Sequence, residues 1–444
     1  MCIDTKMTLY QDKDSTRPGS AVELMERIEA DVAAGTLAGG ERLPPVRDMA
    51  EAVSLAPNTV ATAYRRLADR GVLVSRGRAG TFVLERPPLG VHRTPPVPEG
   101  AVDLASGGPD PRLLPRLESH LIHSGPSSSY TDPAVRPELI ESATSWLAAQ
   151  GVELDGLTVT SGALDAIERV LTAHLRPGDA VAVERPGWSA VTDLVSALGM
   201  RSVGVATDDR GMLPDALAGR LSSVDAVVVT PRAQNPVGSA VDAGRHAELL
   251  AVLDRRPDLL VVEDDHGGPV SGAPLHPLGP GRQRWAFVQS VAKSLGPDLR
   301  LALLTGDQLT LDRVAGRFGL GPGWVSRILQ EAVDSMLTDE EVRSLLVRAE
   351  ESYRRRRHGL IEALGDVGLT DATGRSGLNV WVPVESEQST TAAALRSGFV
   401  VRGGAPFGGD RPAVRITVSN LEIDAIPRLA TALAEPATRG GRLV

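Results

Sequence analysis

From residue 101 onward, short apolar runs alternate with helical segments. The runs are "LTVTSG" (157–162), "AVAVERPG" (180–187), "DAVVVTPRAQNPVG" (225–238), "LLVVEDDHGG" (259–268) and "RWAFVQSVAKS" (284–294). Apolar strands separated by helices build a parallel α/β sheet covered on both faces. Ligands of open α/β sheets sit at the carboxyl ends of the strands. The polar residues that close each run are therefore expected to share one site. After residue 340 a long arginine-rich helix and the runs "LNVWVPV" (378–384) and "AVRITVSN" (413–420) read as a smaller α+β subdomain. The arginines of "YRRRRHGL" (353–360) are expected on a solvated helix face, as charge runs usually are.

The first hundred residues follow another pattern. "AVELMERIEADVAAG" (21–35) places Val22, Met25, Ile28 and Val32 at helical spacing and stops near Gly35. "LPPVRDMAEAV" (43–53) starts a second helix, with Pro44 and Pro45 at its first turn. "LAPNTVATAYRRLADRGVL" (55–73) is a third, with Val60, Tyr64 and Leu67 facing inward and Gly71 ending it. Two short strands around Arg76-Gly77-Arg78 follow. Three helices and a hairpin in about 70 residues make a winged helix-turn-helix. The domain is placed at 18–86, a proline-rich linker at 87–100, and the large body at 101–440.

Composition narrows the function class. With 42% apolar and 23% charged residues among 444, the chain is a globular protein of two or three domains. Cys2 is the only cysteine, which excludes an intramolecular disulfide framework and fits a reducing cytoplasm. Asp4, Lys6, Asp12, Lys13 and Asp14 leave no apolar core for a signal peptide. No apolar run approaches the roughly 18–20 residues of a membrane span. A cytoplasmic protein with no membrane role and no metal site is expected. The net charge of −9 argues against nucleic acid, but its distribution does not. Residues 42–86 hold eight arginines against four acids, a local +4, whereas residues 1–41 hold four basic residues against eight acids.

Lysine usage is the second constraint. Of 47 basic residues only Lys6, Lys13 and Lys293 are lysines. Arginine serves every other position after residue 13. Imine formation with an aldehyde needs a primary amine that can lose its proton, and a guanidinium does not supply one.

The stretch 21–83, through "GTLAGGERLPPVRDMAEAVSLAPNTVATAYRRLADRGVL" and "GTFV", resembles the GntR class of winged-helix transcription regulators. The resemblance implies that the third helix lies in the major groove of double-stranded operator DNA, with Pro57, Asn58 and Thr59 nearest the base edges. Arg65 lies further along that helix. Arg47 at the second helix suits a phosphate, and Arg76 and Arg78 at the wing tip suit phosphate or the minor groove. Pro57 stands where the class often has arginine.

The remainder, roughly 101–435, resembles fold-type-I aminotransferases that bind pyridoxal 5'-phosphate (PLP). The resemblance implies that Lys293 forms the Schiff base. It also implies that Ser161, Gly162 and Ala163 at a helix start, together with Ser290 and Arg300, hold the phosphate. Trp188 stacks on the ring and Asn235 reaches its phenolic oxygen. Asp264 faces the pyridine nitrogen, with Asp265 the alternative because register within "EDD" is open. His266 stands near the family's usual tyrosine and brings a group that ordinarily titrates near neutrality. Arg415 matches the grip for a ligand carboxylate, and Tyr130 matches a residue that reaches the neighbouring subunit of a homodimer. Joined, the two halves resemble the MocR subfamily of GntR-type bacterial regulators. The function implied is transcription regulation that senses an amine, an amino acid or PLP through an aldimine on Lys293. The alternative is a catalytically active aminotransferase that carries a DNA-binding domain.

Overall fold

The computed structural model describes residues 18–33, 36–69, 72–75, 77–84, 95–121, 129–152 and 154–440. Gly35, Gly71, Arg76 and residues 85–94 of the linker region lie outside them. In the N-terminal body, helix α1 (Ala21–Ala33) buries Leu24, Met25 and Ile28. Val22, expected on that face, is 51% exposed. At 3.6 residues per turn it lies about a third of a turn from the stripe the other three define. Helix α2 (Val46–Val53) begins after Pro45, and helix α3 (Pro57–Asp69) buries Val60, Ala63, Tyr64 and Leu67. The Tyr64 hydroxyl donates to the Pro44 carbonyl at 3.0 Å, which fixes α3 against the entry to α2. Strands β1 (Leu73–Ser75) and β2 (Thr81–Val83) pair antiparallel across a 3-10 turn at Gly77–Ala79. Gly80 closes that turn at φ 110°, and a Cβ there would lie 2.7 Å from Arg42 Nε. A side chain there would strain the backbone at this φ and push the Arg42 guanidinium aside. The winged helix-turn-helix expected from sequence is therefore built as drawn.

The C-terminal body opens with β3 (Val102–Asp103), α4 (Pro137–Ala148), β4 (Thr158–Thr160), α5 (Ala163–His174) and β5 (Ala180–Arg185). It continues through α6 (Ser189–Ala197), β6 (Arg201–Asp208), β7 (Gly211–Met212), β8 (Ala226–Val229), β9 (Leu260–Asp265), β10 (Trp285–Ser290) and β11 (Ala302–Gly306). The large sheet runs in the order β4-β11-β10-β9-β8-β5-β6-β7. Strands β5, β8, β9 and β10 pair in parallel, but β11 runs antiparallel to both β10 and β4. The sheet is thus mixed, not wholly parallel as the sequence suggested. The eleven residues 291–301 between β10 and β11 include a tight 3-10 turn at Pro297–Leu299, which leaves no room for a crossover helix. Leu139, Leu147, Phe287, Leu303 and Met336 pack one core of this body, and Val227, Val261, Leu249 and Leu253 belong to another.

Helix α7 (Glu340–Asp366) leads to the smaller subdomain. There β12 (Asn379–Pro383), β15 (Ala413–Thr417) and β14 (Arg402–Gly403) form an antiparallel sheet in the order β12-β15-β14. β13 (Phe399–Val400) pairs in parallel with β3, so the residues just after the linker belong with the smaller subdomain. A two-residue strand carries no periodicity, and the sequence could not place it. The arginine run of α7 also departs from expectation. Arg354 and Arg355 are solvated and lie beside Glu351, but Arg356 and Arg357 are buried. Arg356 meets Asp110 at 3.1 Å and the Ser419 carbonyl, and Arg357 donates to the Gly377 carbonyl at 2.7 Å. Four consecutive residues sweep a full turn, so two of them fall in the stripe that holds Tyr353, Leu360 and Leu364.

Leu67→Ala removes a fully buried side chain from α3 and should cost about 2–5 kcal/mol. Hydrogen exchange is expected to lose protection in α3 while β10 keeps its own. Equal loss in both would contradict a core confined to the N-terminal body.

Candidate ligand site and nucleic-acid interface

Strand β9 ends in three consecutive buried acids, Glu263, Asp264 and Asp265. Alternation along a strand sends Asp264 to one face and its two neighbours to the other. Glu263 accepts from the backbone N–H groups of Leu278 and Gly279 at 2.9 and 2.8 Å. Asp265 is gripped by both arms of Arg232, Nε at 2.9 Å and Nη2 at 2.8 Å, and by Gln289 Nε2 at 2.7 Å. Asp264 has no such partner, and its buried Oδ1 makes no hydrogen bond. Burial first, and the Asp265 charge second, push the Asp264 carboxyl up to about 7. Asp265 is thus held by Arg232 and Gln289, whereas Asp264 Oδ1 is buried without a hydrogen-bond partner.

His266 follows, with Nδ1 buried, unpartnered and 3.9 Å from Asp264 Oδ2. Burial, reinforced by the Lys293 charge, holds its imidazole down at about 4. The ring is therefore neutral at neutral pH and does not titrate there, contrary to the expectation from its type. The Trp188 ring lies 6.5 Å from it, centre to centre, tilted by 41°.

Lys293 lies in the loop after β10, and its Nζ donates to the Gly107 carbonyl at 2.6 Å. Burial and the nearby Arg415 charge bring its amine down to about 8. Arg415, on β15 of the smaller subdomain, is only 5% exposed. It donates to Asn235 Oδ1 at 3.0 Å and to the Ala105 carbonyl, and its Nε has no partner. The fold thus draws Lys293 and Arg415 onto one strap, residues 105–107, and Asn235 joins them through Arg415. The Lys293 charge is felt at His266, which ties the two groups of side chains together.

At the other end of the site, Gly162 caps α5 with φ 96°. A Cβ there would lie 3.1 Å from Arg300 Nη2, so glycine lets the guanidinium approach. Ala163 opens the helix, but the Ser161 N–H already donates to Asp165 at 2.9 Å. Ser290 ends β10, three residues before Lys293, and its hydroxyl accepts from the Ala292 N–H at 3.2 Å. Tyr130 does not join the site within this chain: it is 91% exposed and stands edge-on to Trp324 at 5.5 Å. Sequence reasoning missed Arg232, Gln289 and the strap. Arg232 sits inside the same "TPRAQNPVG" motif as Asn235, and Gly107 in a glycine pair, so both signals were present. Among the described residues no cluster of His, Cys, Asp and Glu could hold a metal ion, and no helix is long and apolar enough to cross a membrane.

In the N-terminal body Arg47 is exposed at the start of α2, and Pro57 and Asn58 are exposed at the start of α3. Thr59 is half-buried and Arg65 exposed. Asn58, Thr62 and Arg65 are spaced along one face of α3, opposite its buried stripe. Thr62 donates to the Asn58 carbonyl at 2.8 Å. Arg76 and the side chain of Arg78 lie outside the described residues.

The two acids should separate in stability measurements. Asp265→Asn strips the charge that Arg232 pairs with and should cost about 3–5 kcal/mol. Asp264→Asn should stabilise. A folded carboxyl near 7, against an ordinary 3.8, loses stability as pH rises between those values. The gain from Asp264→Asn should therefore appear above about pH 4 and level off past 7. Urea unfolding across pH checks both signs.

Residues 100–433 match the family described as aminotransferase class I and II, and residues 20–83 match the bacterial regulatory proteins of the gntR family. The vitamin B6 salvage pathway transcriptional repressor PtsJ of Salmonella typhimurium is 38% identical over 427 residues, covering 95% of this chain and 99% of that protein. The HTH-type pyridoxine biosynthesis transcriptional regulator PdxR of Corynebacterium glutamicum is 27% identical, covering 89% and 90%. Among solved structures, the alpha-aminoadipate aminotransferase LysN of Thermus thermophilus superposes with a TM-score of 0.68 at 22% identity, covering 77% of this chain and 94% of that one. The chain belongs to the gntR family of bacterial regulatory proteins, in the MocR-type group that fuses the DNA-binding domain to an aminotransferase-like domain for pyridoxal phosphate.

Proposed function

We propose that this regulator binds operator DNA through α2, α3 and the wing, and that PLP itself is the effector, captured by Lys293. The observation that carries the reading is the set of buried, unpartnered polar atoms around one amine. Asp264 Oδ1, His266 Nδ1 and Arg415 Nε are all buried without a hydrogen-bond partner, and Lys293 is the only lysine after residue 13. Such atoms are costly unless something meets them. They suit a small ligand with a ring nitrogen, a phenolic oxygen and an aldehyde, which fits PLP. PtsJ and PdxR, regulators of vitamin B6 salvage and of pyridoxine biosynthesis, support a ligand of the same vitamin class.

Each residue then has a distinct task. Bound there, PLP supplies an aldehyde for the lysine amine and an electron-withdrawing ring. Lys293, brought down to about 8, offers a neutral amine to an aldehyde more readily than an exposed lysine does. Asp264 would hold the proton of the ring nitrogen, and Asn235 and His266 would flank the phenolic oxygen. Trp188 would present its face to the ring. Gly162, Ala163, Ser290 and Arg300 would hold the phosphate, with Ser161 contributing less because Asp165 already takes its N–H. Arg415 would meet the carboxylate of an amino-acid ligand after giving up its contact with Asn235 or Ala105. Tyr130, exposed as it is in one chain, would complete the site of a partner in a homodimer. Residues 87–100 would link the reader to the body, in a protein that works in the cytoplasm where its DNA lies. Two readers on one dimer bind repeated half-sites far more tightly than one.

Reductive trapping tests the assignment. After borohydride treatment of PLP-loaded protein, the added mass should fall on the peptide holding Lys293 and vanish in Lys293→Ala. The rate at which PLP-free protein forms the imine absorbance on mixing with PLP should climb with pH and level off above about 8, because the amine attacks the aldehyde unprotonated. A midpoint near 10.5, the ordinary lysine value, would contradict a desolvated amine. Steady-state turnover with amino and keto acids, and no effect of PLP on promoter binding, would instead establish the working aminotransferase.

The DNA interface is tested separately. Arg47→Ala should weaken binding evenly across sequences and lower the salt slope by about 1. Asn58→Ala should cost about 1–3 kcal/mol on the cognate site and relax its sequence preference. Unchanged binding by both variants would remove these residues from the interface.

A further inference from the structure

Beneath the ligand site lies a buried polar network that no role described above uses. The Arg232 fork holds Asp265 and donates also to the Ala273 carbonyl at 3.1 Å and to Gln150 Oε1 at 2.7 Å. Gln289 Nε2 reaches Asp265 at 2.7 Å and Gln150 Oε1 at 3.1 Å, and Gln289 Oε1 accepts from Trp146 Nε1 at 2.8 Å. Arg232 and Asp265 are 6% and 0% exposed. Three members lie close in the chain to residues of the site. Arg232 precedes Asn235 in one loop, Asp265 stands between Asp264 and His266, and Gln289 precedes Ser290.

We propose that Arg232 is a positioning residue for the cofactor ring: through its bidentate grip on Asp265 it locks the Asn235 loop to the end of β9. Four groups meant for the ring and phosphate, Asn235, Asp264, His266 and Ser290, then move as one unit. This rests on the reading that PLP binds here, and it adds a residue that does not touch the ligand. The geometry needs a planar fork. A fork–fork pair fixes both distance and orientation, whereas a lysine supplies a point charge that leaves orientation free. Gln289 donates a third hydrogen bond to Asp265 and Gln150 accepts one from Arg232, so both partners of the pair are held by further contacts.

The test uses full-length protein, with PLP binding read by absorbance and ring orientation read by the induced circular dichroism of the bound chromophore. Arg232→Ala should lose roughly 10–100-fold in PLP affinity, the cost of misplacing one charge-assisted contact, together with most of the induced signal. Arg232→Lys should keep the fold but recover the signal only in part. A purely structural role predicts otherwise. Arg232→Met combined with Asp265→Leu removes both buried charges and should restore folding, yet the induced signal should stay low. Wild-type affinity and signal in Arg232→Ala, or in the double variant, would overturn the proposal. If wild-type protein itself gives no chromophore with PLP, the cofactor reading falls, and this inference with it.

Discussion

Three acids in a row on a fully buried strand are the constraint around which the C-terminal body is arranged. Buried carboxylates are tolerated only with partners or as neutral acids. The strand's alternation divides them. Glu263 is met by two backbone N–H groups, and Asp265 by a guanidinium fork and an amide. Asp264 has neither kind of partner, and burial raises its carboxyl to about 7, as it does that of Glu263, whose Oε2 is also unpartnered. The same burial keeps His266 neutral and makes the Lys293 amine easier to deprotonate. One physical cause, desolvation at the carboxyl ends of the sheet, thus prepares an acid, a neutral ring and an amine together.

The site also joins the two subdomains of the body. Arg415 belongs to the smaller one and Asn235 to the larger, and they meet at 3.0 Å. The strap at 105–107 touches both Lys293 and Arg415 through its carbonyls. It lies a few residues beyond β3, which is paired into the smaller subdomain, and shortly after the linker. A ligand that claims the lysine Nζ competes with its contact to this strap, and one that claims Arg415 competes with the strap or with Asn235. Only a difference in ligand affinity between two arrangements can move such an equilibrium. The strap is where that difference would arise.

Much of this was legible in the sequence. The helices and hairpin of the reader followed from periodicity and turn residues, and the site strands from their apolar runs. Lys293 stood out by scarcity. What the sequence hid was pairing and orientation. It could not show that β11 runs against its neighbours, because direction depends on the room available to a connection. Nor could it show that Arg356 and Arg357 turn inward, because identical letters on a helix point to different faces. Nor could it show that Arg232, 33 residues away, pairs with Asp265 and not with Asp264. His266 kept its type but not its ordinary titration, since that depends on burial.

The central claim is that the chemistry at Lys293 speaks to the DNA reader. The most direct measurement is the affinity of the full-length protein for its own promoter at fixed salt, without PLP and then saturated with it, in wild type and in Lys293→Ala. The account predicts that PLP changes the wild-type affinity with no amine or amino acid added, and leaves Lys293→Ala unmoved. Equal affinities for the free and loaded wild-type protein, with PLP demonstrably bound, would contradict it.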